Sequence, residues 1–69
     1  MKTKTAILSI DNLTDAGIAD LSTTLQELSG VEQVEFSAER QVAVIEFDSA
    51  SITVEDLIRS VLKKGYKVA

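Results

Sequence analysis

Apolar and polar positions alternate from Lys4 to Ile10. Ala6, Leu8 and Ile10 recur at period two, the pattern of a half-buried strand. Asp11-Asn12 interrupts it. Thr14 and Asp15 then supply side-chain oxygens for the orphan amides of a helix start, and a carboxylate in that turn suits the helix dipole. Ile18, Leu21, Leu25 and Leu28 follow at spacings of three and four, the stripe of an amphipathic helix. Gly30 is placed to stop it, because glycine takes positive φ without a Cβ clash. Val31 to Phe36 reads as a second strand, with Val34 and Phe36 on one face. Gln41 to Phe47 reads as a third. The short polar link Ser37–Arg40 makes these two an antiparallel hairpin. Thr53, with Asp56 three residues on, is a variant capping box for a second helix. Val54, Leu57, Ile58, Val61 and Leu62 form its stripe, Lys63 and Lys64 suit its C-terminal dipole, and Gly65 ends it. Tyr66 to Ala69 is expected to complete a fourth strand.

The expected order is therefore strand, helix, strand, strand, helix, strand. Each helix has one apolar stripe, so both must cover the same sheet face to share a core. The expectation is an α+β, ferredoxin-like βαββαβ sandwich, with a four-stranded antiparallel sheet and right-handed crossovers. Residues 1–69 are read as one domain, since 69 residues support one core at most.

Composition narrows the chemistry. The chain has no cysteine and no histidine, which removes disulfides, thiolate and imidazole metal ligands, and Cys–His or Ser–His–Asp nucleophiles. Eleven acids against seven bases give a net charge of -4, which argues against non-specific nucleic-acid binding. No apolar run approaches membrane-spanning length, and no signal-peptide stretch follows the basic Met1–Lys4, so the expected location is cytoplasmic, without membrane insertion.

The run Leu28-Ser29-Gly30-Val31-Glu32-Gln33-Val34-Glu35-Phe36 is similar to a segment of the heavy-metal-associated domain. Phe47-Asp48, Thr53-Val54-Glu55-Asp56-Leu57 and Gly65-Tyr66 continue that pattern in order and at matching spacing over roughly the whole chain. The resemblance implies kinship with soft-metal chaperones and with the N-terminal domains of metal-transporting P-type ATPases. The Gly65-Tyr66 pair is more like the ATPase-attached domains. The family's metal loop reads Gly-Met-Thr-Cys-x-x-Cys. The matching stretch here is Asn12-Leu13-Thr14-Asp15-Ala16-Gly17-Ile18, which puts Asp15 and Ile18 at the cysteine positions. Soft monovalent copper prefers thiolates; a carboxylate is a hard ligand and a sec-butyl group is none. No soft-metal binding and no cofactor are expected, and Ile18 is expected to add a core contact at that end.

Other polar and aromatic residues have simpler roles. Asp11, Asp15 and Asp20 fall short of the six to eight oxygens calcium wants, and capping with dipole compensation explains them. Tyr66 is expected to be a half-buried ring rather than a catalytic group, although Lys64 and Lys67 lie close in sequence. Ile7, Val42 and Val44 should lie together on the sheet face turned away from the helices, a candidate surface for a protein partner or a homodimer.

Three functional readings follow. The favoured one is a non-catalytic, structural or regulatory interaction module, related to metal-transport proteins but without their soft-metal site. The alternative is metal trafficking through atypical ligands such as Asp11, Asp15 and Met1, or through ligands donated by a partner. The third, a small-molecule sensor or small enzyme, lacks a phosphate-binding glycine loop or a convergent acid–base pair to support it.

Overall fold

The structure is a computed structural model and describes residues 2–69. Met1, the only sulfur-bearing residue and a candidate ligand of the alternative reading, lies outside the described residues. The elements run β1 (Thr3–Ser9), α1 (Asp15–Gln26), β2 (Val31–Ser37), β3 (Val42–Asp48) and α2 (Val54–Lys63).

The hairpin expected from the short polar link forms, with β2 antiparallel to β3. The first strand pairs antiparallel with the other side of β3, giving the order β1-β3-β2. Ala6 and Leu8 from β1, Ile10 just after it, and Ala43, Ile45 and Phe47 from β3 all turn to one face and are buried. Leu21 and Leu25 of α1 and Leu57 and Val61 of α2 join them in a single core. One sheet face thus carries both helices, because each helix has only one apolar stripe to bury. A bulge between Val31 and Gln33 leaves Glu32 without a partner across the ladder. Its carboxylate accepts from the Thr3 hydroxyl at 3.0 and 3.2 Å.

The expected fourth strand does not form, and the described sheet has three strands, in a βαββα arrangement that is still ferredoxin-like. Val68 makes one isolated bridge to Ile10. Around it, the Asp11 amide donates to the Lys67 carbonyl and the Ala69 amide to the Ser9 carbonyl, both at 2.9 Å. The physical reason is where the two segments meet. The C-terminal residues reach β1 only at Ser9–Asp11, where β1 is itself leaving the sheet for the turn at Asp11-Asn12. Too little extended backbone runs side by side there to build a ladder.

Smaller differences have local causes. The first helix ends at Gln26 rather than at Gly30, and Leu28 packs on the core from the turn that follows. Gly30 does take positive φ, at 100°, and a Cβ there would sit 2.9 Å from Ser51 Cβ. Gln41, expected to open the third strand, is instead a turn residue with φ 58°. The stripe of α2 is narrower than its apolar spacing suggests: Leu57 and Val61 are buried, while Val54 and Leu62 are exposed.

Candidate functional site

The loop that enters α1 is built from three parts of the chain. Asn12 takes the left-handed conformation at φ 61°, which asparagine tolerates better than most residues. The chain then drops Leu13 into the core, with 4% of its surface exposed. Both main-chain groups of Leu13 are held by the Gln41 carboxamide. The Leu13 amide donates to Gln41 Oε1 at 2.8 Å, and Gln41 Nε2 donates to the Leu13 carbonyl at 2.7 Å. The same Nε2 donates to the Ala38 carbonyl at 2.7 Å, while the Gln41 carbonyl accepts from the Ile10 amide at 2.8 Å. Gln41 thus ties the β2–β3 turn to this loop. Sequence reasoning missed it, since a polar residue at a strand start carries no signal that its side chain will satisfy a backbone far away.

The helix start follows the expected capping. Thr14 Oγ1 accepts from the Gly17 amide at 3.1 Å. Asp15 is exposed in the first turn, where its charge faces the positive end of the dipole. Leu13 and Ile18 occupy the positions just before the cap and four residues into the helix, the arrangement of a hydrophobic staple. Ile18 is half-buried and packs against the core cluster that contains Leu13. The staple spacing was present in the sequence and gives Ile18 a specific structural duty.

Tyr66 is half-buried, as expected, and it lies across Gly17. A Cβ at Gly17 would overlap the Tyr66 hydroxyl oxygen and stand 3.1 Å from its Cζ. Glycine therefore lets the ring approach this helical turn closely, and a side chain here would have to displace the Tyr66 hydroxyl. Lys64, a sequence neighbour of Tyr66, is engaged elsewhere: its Nζ lies 3.1 Å from Asp20 Oδ1 on α1.

Asp15 and Ile18 thus present one solvated carboxylate and one half-buried hydrocarbon. That donor set does not fit a soft metal ion. Asp11, Asp15 and Asp20 are not brought together either. Among the described residues no group of three or more histidine, cysteine, aspartate or glutamate side chains is arranged to hold a metal ion.

The sequence pattern of the family described as "Heavy-metal-associated domain" matches residues 7–67. This chain belongs to that family. Solved structures agree with the assignment. Oxidized MerP from Ralstonia metallidurans CH34 is similar at 28% identity and TM-score 0.89, covering 97% of this chain and 94% of that one. The N-terminal domain of a potential copper-translocating P-type ATPase from Bacillus subtilis, in its Cu(I)-loaded state, is 27% identical with TM-score 0.85, over 96% and 84% of the two chains. The CopZ metallochaperone shares the fold at TM-score 0.92 and 16% identity, over 96% and 100%. No curated protein matches the sequence. In this heavy-metal-associated domain, then, the loop into α1 is held by Gln41, Thr14 and the packing of Leu13 and Ile18 on the core.

The three apolar residues on the other sheet face are adjacent. Ile7 lies directly across the ladder from Val44, and Ser9 across from Val42. Ile7 is 69% exposed, while Val42 and Val44 are half-buried. Among the described residues no helix is long and apolar enough to cross a membrane.

Proposed function

We propose that this heavy-metal-associated domain is a non-catalytic interaction module, spanning residues 1–69, in which the soft-metal site has been given up. It acts as a structural or regulatory partner in metal-transport systems of the cytoplasm. The observation that carries the reading is Ile18. At the position the family resemblance gives to a sulfur ligand stands a half-buried aliphatic side chain that packs against the core cluster. Asp15 supports it, because an exposed carboxylate at a helix start is explained by capping electrostatics alone. The Bacillus subtilis ATPase domain was solved loaded with Cu(I). Equivalent binding here would require donors that the loop does not offer.

Titration with Cu(I) in reducing buffer, followed by amide NMR, tests this. The resonances of Leu13 to Ile18 and of Tyr66 should not move in the native protein. The double variant Asp15→Cys/Ile18→Cys should gain tight Cu(I) binding on the same backbone. Saturable, stoichiometric shifts in the native protein would instead favour trafficking through atypical ligands.

A further inference from the structure

The open sheet face combines an apolar centre with mainly negative charge, Arg40 at the hairpin end being its one cation among the lining residues. Ile7 is its most exposed aliphatic residue, and Val44 and Val42 extend that centre along β3. Glu35 stands directly across the ladder from Val44, and Glu46 directly across from Thr5. A shallow hollow of about 320 Å³ lies between them, lined by Thr5, Gln33, Glu35, Val44 and Glu46. A second hollow of about 260 Å³ shares Glu35 and Val44 and is bordered by Arg40 at the hairpin end. Glu32 adds a further carboxylate at the opposite end, bound to Thr3. Lys4 lies on the core side of β1, and Lys63, Lys64 and Lys67 lie around the end of α2.

We propose that this face receives a protein partner that presents an aliphatic side chain flanked by lysine or arginine. The aliphatic group sits on Ile7 and Val44, and the cations lie against Glu35 and Glu46. The assignment deepens the interaction reading above and rests on it. Charge decides the occupant. A second copy laid face to face would set carboxylate against carboxylate around the same patch, and like charges across an interface disfavour the pairing. A basic, apolar partner gains from both parts of the face at once.

The test uses synthetic peptides on isotopically labelled protein. One alternates lysine and valine, one glutamate and valine, and one lysine and serine. The Lys-Val peptide should shift Thr5, Ile7, Val44 and Glu46 saturably, with affinity about tenfold or more above both controls, or roughly 1.4 kcal/mol. Glu35→Gln/Glu46→Gln, and separately Ile7→Thr, should each weaken it several-fold; these side chains lie on the sheet face away from the core and leave the fold intact. Raising salt from ~0.1 M to ~1 M shortens the screening length from ~10 to ~3 Å and should weaken it too.

Equal binding of the Glu-Val peptide, or shifts confined to Lys63–Lys67, would overturn the assignment. So would dilution-dependent shifts at Ile7 and Val44 without peptide, which would mean that a second copy covers the face. Failure here with a silent copper titration removes only this partner. A positive copper titration removes the reading beneath it.

Discussion

The two helices begin alike and are secured differently. Each has a threonine cap, Thr14 or Thr53, whose hydroxyl accepts an amide three residues on, and each has an apolar residue just before it, Leu13 or Ile52. At α2 the capping side chains are local, although Ser49 in the preceding loop also donates from its amide and its hydroxyl to the Lys2 carbonyl, both at 2.9 Å. Asp56 Oδ2 accepts from the Thr53 amide at 3.2 Å and from its hydroxyl at 3.0 Å. Asp48 accepts from the Ala50 amide at 3.0 Å and from Ser51 Oγ at 3.2 Å. At α1 the residue matching Asp56 is Gly17, which has no side chain to return a bond. Its support comes from Gln41, in the hairpin turn, and from Tyr66, near the far end of the chain. The first loop relies on a distant side chain to hold its main chain, whereas the side-chain bonds at the second come from its own residues. The first loop is the one that the sequence resemblance aligns with the family's metal loop. Here Gln41, Thr14 and the packing of Leu13 and Ile18 on the core hold it.

The largest expected effect tests what the two loops share. Leu13 and Ile52 are both buried core residues. Leu13→Ala and Ile52→Ala should each cost about 2–5 kcal/mol in urea unfolding. A much smaller loss at Leu13 would mean that the first loop is not packed as described.

Gln41 separates them. Gln41→Ala leaves the Leu13 amide and carbonyl without their partners, at an expected cost of about 1–3 kcal/mol. Amide exchange should quicken at Leu13 and remain unchanged at Asp56. Asp48→Ala, at the matching loop, removes only exposed local bonds and should cost less than about 1 kcal/mol, as surface changes usually do.

Gly17 gives a sign. Alanine ordinarily favours a helix over glycine by up to about 1 kcal/mol. Overlap with Tyr66 should reverse that, so Gly17→Ala lowers the thermal midpoint of the native protein. In a Tyr66→Ala background the same change should raise it. Equal signs in both backgrounds would show that the ring moves aside at no cost.

Asp56 gives the smallest effect and a pH dependence. The Thr53 backbone amide, then the Thr53 hydroxyl, hold its carboxyl below the usual aspartate range; slight desolvation opposes them and Arg59 adds a little. A depressed folded-state value means that ionised Asp56 stabilises the protein above the ordinary aspartate range. That contribution is lost as pH falls through the folded-state value. Asp56→Asn should therefore lower the thermal midpoint slightly at neutral pH, and the gap to the native protein should close in acid. A gap independent of pH would leave the capping-box charge without a role.

The elements held by contacts between near residues are legible in the sequence. The alternating β1, the hairpin, both threonine caps and the capping box at Thr53 each depend on side chains within a few residues of one another. The Asp15 and Ile18 substitutions are legible for a different reason, because donor chemistry is a property of residue type. The segregation of Ile7, Val42 and Val44 from the buried face follows from period two alone.

The fold decided whatever depends on which distant segments meet. Val68 reaches β1 only at its departing end, so a segment with strand composition becomes a single bridge. Gln41 has the pattern of an exposed strand residue, and only the meeting of the hairpin turn with the loop at Leu13 makes it a clamp. Gly17 is a weak helix position by propensity, and only Tyr66 lying over it gives glycine a packing reason there. Local patterns follow from bonds within a turn or a strand pair. Clamps and close approaches arise only when the core brings remote backbone together, and no spacing along the chain encodes that distance.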